Sequence, residues 1–140
     1  GTGDVQLTLV QRTLLDGAVI VSTPQDIALI DAARGLTMFQ KMDVPVLGIV
    51  ENMASWSCPD CGATSHPFGK DGGAREAKRL GVDLLGRIPL EPSVREGGDS
   101  GKPVVVESPD SAVSAAFAAL AERIAETMGL DPGPDSDSTG

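Results

Sequence analysis

Cys58 and Cys61 are the chain's two cysteines, His66 is its single histidine, and all three fall within one stretch, SWSCPDCGATSHPFG, residues 55–69. A CxxC pair can form a disulfide, work as a redox dithiol, hold part of a zinc site or ligate an iron-sulfur cluster. The disulfide is the weakest reading in a reducing compartment. A thioredoxin-like dithiol needs its first cysteine at the start of a helix that lowers its pKa. Here Cys61 is followed by GATSHPFG, which reads as turn. A zinc knuckle fits locally, because Pro59 and Gly62 permit a tight turn that aims two thiolates at one ion. Structural zinc and iron-sulfur clusters usually take about four ligands, whereas this chain offers two thiolates and at best His66. His66, beside Pro67, reads as a surface turn residue whose spacing from Cys61 is loosely compatible with zinc. Either a ligand comes from outside, or two chains share one site.

Composition narrows the setting. The chain has 140 residues, of which 41% are hydrophobic, enough for one domain with an aliphatic core. A net charge of −9, with three Phe, one Trp and no Tyr, repels a phosphate backbone and supplies little surface for stacking on bases, so no nucleic-acid partner is expected. No apolar run approaches the ~20 residues of a membrane helix, and no signal peptide is evident, so no membrane partner and a cytoplasmic location are expected. The chain begins inside GTGD without an initiator Met, which reads as a fragment or a processed piece.

The elements that must position the cysteines alternate between helix and strand. DVQLTLVQRTLLDG places Leu7, Val10 and Leu14 on one helical face and stops at Asp16-Gly17. AVIVST is a short apolar run of the kind covered on both faces of a parallel sheet, and VPVLGIVEN reads as a second buried strand. Between them Thr23 is expected to cap a helix with Pro24 at its first position. GGAREAKRLG reads as a short helix closed by Gly81, LLGRIPL as a third strand and PVVVE as a brief edge segment. Ser108 is expected to cap the last helix, Pro109 to open it and Gly129 to end it. The fold class is therefore α/β, a parallel, doubly wound sheet with flanking helices over residues 1–129, followed by a disordered acidic tail at 130–140. In such sheets ligands bind beyond the carboxyl ends of the strands. STPQD, ENMASWSCPDCG and IPLEPSVREGGDSGKP fall at those ends.

Taken together, GTGD, TPQDIALIDAARGLTMFQKMDVPVLGIVENMASWSCPDCG, FGKDGGA and LLGRIPLEPSVREGGDSGKPVV resemble the C-terminal half of the Mrp/ApbC-type P-loop ATPases, in the family's order and spacing. The likeness covers nearly all of residues 1–129. It implies a partial P-loop NTPase-like sheet and a protein that carries an iron-sulfur cluster, [4Fe-4S] in type, to apo-proteins, with ATP and Mg²⁺ bound and hydrolysed by the full-length parent. Under the resemblance, Cys58 and Cys61 match the cluster ligands. Asn52 matches the residue that reads the adenine edge, and Pro89 and Leu90 match the wall of the base pocket. Gly1, Thr2, Gly3 and Asp4 match a switch segment near the γ-phosphate.

The phosphate-cradling GxxxxGK[ST] does not occur in the chain, so the polypeptide alone is expected not to hydrolyse ATP. The family's phosphate-loop strand would pair beside AVIVST, which predicts an open edge there. Two cysteines against a need for about four ligands imply a homodimer that contributes Cys58 and Cys61 from each subunit, with Trp56 as apolar cover at the contact. The alternative is a zinc-stabilised structural or interaction domain on a degenerate ATPase fold.

Overall fold

The computed structural model describes residues 3–130 of the chain. Gly1, Thr2 and the predicted tail from residue 131 onward lie outside the described residues. Three strands, β1 (Ala18–Ser22), β2 (Val46–Asn52) and β5 (Leu84–Ile88), form a parallel sheet in the order β1-β2-β5. The helices between them are α2 (Asp26–Lys41) and α3 (Gly72–Leu80), and α1 (Asp4–Arg12) precedes the sheet. A two-stranded antiparallel hairpin, β3 (Trp56–Ser57) with β4 (Thr64–Ser65), interrupts the passage from β2 to α3. Beyond β5 the chain makes α4 (Pro92–Ser100), a single turn α5 (Val104–Glu107) and α6 (Ala112–Thr127).

Alternation along the central strand feeds two cores, because successive side chains point to opposite faces. Ile49, with Ile20 of β1, packs on Ala32 of α2 and Ala77 of α3. Val50, with Leu85 and Ile88 of β5, packs on Val104 and on Val113, Phe117 and Leu120 of α6. Burying a side chain such as Ile49 contributes about 1.5–3 kcal/mol, and it is fully buried here. This two-sided burial is why Val46–Val50 of β2 reads as an unbroken apolar run. Among the described residues β1 has one neighbour, β2, and Val21 of β1 is 62% exposed, in keeping with the open edge expected there.

Several boundaries differ from the sequence reading. Helix α2 begins at Asp26 with Gln25 as N-cap, two residues later than Thr23 would set it; the Thr23 hydroxyl bonds the Gln25 side chain instead. Pro24 is buried, and its carbonyl packs against Gly72 at the start of α3. In α6 the capping oxygen is that of Ser111, which accepts from the Ser114 amide, while the Ser108 carbonyl accepts the hydroxyls of both serines. PVVVE forms α5 and not a strand. Its β-branched side chains have no sheet partner, and the Val104 carbonyl takes the Ser114 hydroxyl, so tertiary context overrides propensity. Leu14 lies beyond the end of α1 and is fully exposed. Helix α4, opened by Pro92 and closed by Gly101 at φ 72°, was not anticipated. Its two internal glycines, Gly97 and Gly98, mask the helical signal.

Candidate functional site

The cysteines sit at the tip of the β3–β4 hairpin, where Trp56 pairs with Ser65 and Ser57 with Thr64. Beyond the last pair the turn is closed by two main-chain bonds, Cys58 N–H to the Ala63 carbonyl (2.9 Å) and Gly62 N–H to the Cys58 carbonyl (2.8 Å). Gly62 adopts φ 73°, a left-handed conformation that glycine takes without strain. Both thiols are free; Cys58 is half-buried and Cys61 exposed. The main-chain amide of Cys61 acts on the Cys58 sulfur, followed in strength by the amide of Asp60 and by the Cys61 thiol. These donors hold the Cys58 thiol below the usual thiol range, against a small opposing effect of burial. Donors aimed at sulfur favour the thiolate, which is the ligating form. Among the described residues no third His, Cys, Asp or Glu completes a metal cage with the pair. His66 is engaged elsewhere. Its Nδ1 lies 2.9 Å from the Ala54 carbonyl oxygen and ties the two sides of the hairpin base together.

Asn52 ends β2 directly opposite Ile88, the last residue of β5, so Asn52 and the Pro89-Leu90 turn stand at adjacent strand ends. The turn is fixed by the Leu90 amide donating to the Ser55 carbonyl at 2.7 Å, and the Ala54 amide donates to the Ile88 carbonyl at 3.0 Å. The Asn52 side-chain oxygen accepts the Met53 amide at 3.0 Å, which leaves the side-chain nitrogen as a donor. The structure therefore brings Asn52, Pro89, Leu90 and the root of the cysteine hairpin to one end of the sheet. Gly3 and Asp4 stand at the start of α1, whose Gln6 lines a 450 Å³ groove along β1.

Three residues that the motif reading passed over stand at the root of the hairpin. Glu51 is 1% exposed; its Oε2 accepts the Gly73 amide at 2.5 Å, and its Oε1 lies 3.6 Å from Arg87 Nε. Arg87 also reaches Asp71, Nη2 to Oδ1, at 3.2 Å. Glu51, Asp71 and Arg87 line a 270 Å³ cavity together with Ser57, Thr64 and His66 of the hairpin. A signal for them existed: a glutamate within VPVLGIVEN, read as a buried strand, and an arginine within LLGRIPL, read as a third strand, are charges inside strands of the sheet. Such charges need partners. In the register of the sheet Glu51 and Arg87 are opposite one another.

A parallel sheet flanked by helices, with a cysteine hairpin at its strand ends, defines an α/β domain of the parallel, helix-covered class. The chain belongs to the NUBPL iron-transfer P-loop NTPase family within ParA, whose model matches residues 1–125. It is 52% identical over 138 residues to the Arabidopsis thaliana protein named iron-sulfur protein required for NADH dehydrogenase, mitochondrial, covering 98% of this chain and 44% of that one. It is 54% identical over 131 residues to the iron-sulfur cluster carrier protein of a Synechocystis strain, covering 93% of this chain and 37% of that one. The chain thus spans less than half the length of these curated relatives. Among solved structures it matches a nucleotide-binding protein in complex with ADP from Archaeoglobus fulgidus at 36% identity and a TM-score of 0.66, covering 79% of this chain and 44% of that one. The family, the α/β fold and the association with iron-sulfur transfer agree with the sequence reading.

Proposed function

We propose that this chain is the cluster-holding portion of an iron-sulfur cluster carrier, with Cys58 and Cys61 as the ligands of the cargo. The observation that supports this most directly is the knuckle at the hairpin tip, where main-chain donors favour a Cys58 thiolate with Cys61 three residues away. Two thiolates per copy supply half of the roughly four that a [4Fe-4S] cluster takes, so two copies close one site between them. Trp56, half-buried on β3, supplies apolar cover at that contact. A site of this kind is labile, because reorienting one copy removes half the ligands at once, and this suits delivery to apo-protein clients. Residues 1–129 act as the C-terminal half of the nucleotide-binding domain. Asn52 presents its amide to the adenine edge, Pro89 and Leu90 wall the base, and Gly1 to Asp4 serve the phosphate side. ATP and Mg²⁺ need a phosphate loop beside this half, and that loop is not in this sequence.

The test is anaerobic reconstitution of the chain with iron and sulfide. The expected result is the broad visible absorption of a thiolate-ligated cluster, with about four irons per two chains and a dimer by native mass spectrometry. The Cys58→Ala, Cys61→Ala double variant should lose the colour and the dimer together. A wild-type chain that takes up no iron and sulfide but holds exchange-resistant zinc would overturn the reading in favour of a structural zinc domain. A monomer with a full cluster would overturn the bridging arrangement alone.

A further inference from the structure

The hairpin that carries the cysteines is closed by nested ties of increasing span. Innermost are the strand pairs Ser57 with Thr64 and Trp56 with Ser65. Next comes His66 Nδ1 against the Ala54 carbonyl, 12 residues apart, and outermost the Gly73 amide on the Glu51 carboxylate, 22 residues apart. The outermost tie is unusual in its chemistry. Helix α3 has an acidic N-cap residue, Asp71, that makes no side-chain cap bond; its carboxylate goes to Arg87 instead. The first turn of the helix takes its acceptor from Glu51 on β2. Gly73 has no room for a side chain, since a Cβ there would stand 2.7 Å from Glu51 Oε2. Among the described residues Glu51 is also the one buried charged side chain. Its ion-pair partner Arg87 is 47% exposed, and a pair half open to water is a modest source of net stability. What it supplies is a fixed geometry.

We propose that Glu51 is a positioning residue for the cysteine hairpin. Its carboxylate clasps the base of the 51–73 loop, with Arg87 and Asp71 as an outer strap, and so sets the orientation of Cys58 and Cys61 relative to the strand ends at Asn52 and Pro89. The clasp itself is independent of the cargo; its use rests on the cluster-carrier reading above.

Trp56, the chain's one tryptophan, stands on the hairpin and reports its docking. The test compares the full chain, free of metal, with Glu51→Gln, Arg87→Gln and, as a control for general destabilisation, Val50→Ala, which alters the opposite core. In both clasp variants acrylamide quenching of Trp56 should rise roughly twofold, and amide exchange across residues 56–65 should quicken about tenfold, at temperatures well below melting. Val50→Ala should lower the melting temperature and leave both signals unchanged. Unchanged signals in both Glu51→Gln and Arg87→Gln, or equal changes in Val50→Ala, would overturn the proposal. In reconstituted protein, loss of iron to a chelator should quicken in the clasp variants alone. A wild-type chain that takes up no cluster would sink the carrier reading, and the Trp56 and exchange signals would still decide the clasp.

Discussion

Replacing Gly73 with Ala sets a known gain against a larger loss. Alanine in place of glycine inside a helix gains up to about 1 kcal/mol. At Gly73 the new methyl meets Glu51 Oε2 at 2.7 Å, its Cβ at 2.9 Å and its Cγ at 3.2 Å, all on a side chain only 2% exposed. Crowding of this kind costs about 1–3 kcal/mol. Displacing the carboxylate from the Gly73 amide forfeits a charge-assisted hydrogen bond in a dry site, roughly another 1.5–3 kcal/mol. The net expectation is a loss of about 2–4 kcal/mol. For a chain of this length that corresponds to a fall in Tm of roughly 6–15 °C, read by circular dichroism. Gly98→Ala in α4 is the matched comparison. Its Cβ meets nothing within 4 Å and its backbone is not left-handed, so it should gain about 0.5–1 kcal/mol. A Gly73→Ala protein that melts at or above wild type would refute the reasoning, whatever Gly98→Ala does.

The lowered Cys58 thiol predicts that its alkylation by iodoacetamide, followed by mass spectrometry against pH, turns on below the ordinary thiol range; an inflection at or above that range would contradict the knuckle donors. Glu76 is held below the usual carboxylate range by its hydrogen bond to Arg79 and then by the charge of that guanidinium. A depressed carboxyl stabilises the fold above its unfolded pKa and loses that contribution as pH falls through the folded value. With Arg79 63% exposed, Glu76→Gln should cost only about 0.3–0.5 kcal/mol at neutral pH and nothing in acid, as a pH series of urea melts would show. The isolated chain should show no ATP turnover; activity abolished on removing Mg²⁺ would contradict this.

The strands were legible as short runs dominated by aliphatic residues, AVIVST and VPVLGIVEN, and β1 and β2 fall inside them. Helix ends were less legible. Thr23 and Ser108 each offer a local capping hydroxyl, but Pro24 is buried against α3 and Ser111 has a better-placed partner in Ser114, so packing moved both starts by two or more residues. The cysteines and the strand-end residues Asn52 and Pro89 were legible through motif and topology. Glu51 and Arg87 were not, because their pairing depends on the register of two strands more than thirty positions apart in the chain. A pattern of neighbours along the sequence does not hold that information.

The knuckle's bonds span at most five residues, from Cys58 to Ala63, whereas the sheet pairs Ile20 with Ile49 and Val50 with Gly86 across intervening helices. Turns of that size close within microseconds, and non-local parallel pairing is slow. The cysteine turn can therefore close before the sheet pairs. The turn that carries the cysteines is thus local, whereas its orientation against the strand ends waits for the sheet, through the tie between Glu51 and the Gly73 amide.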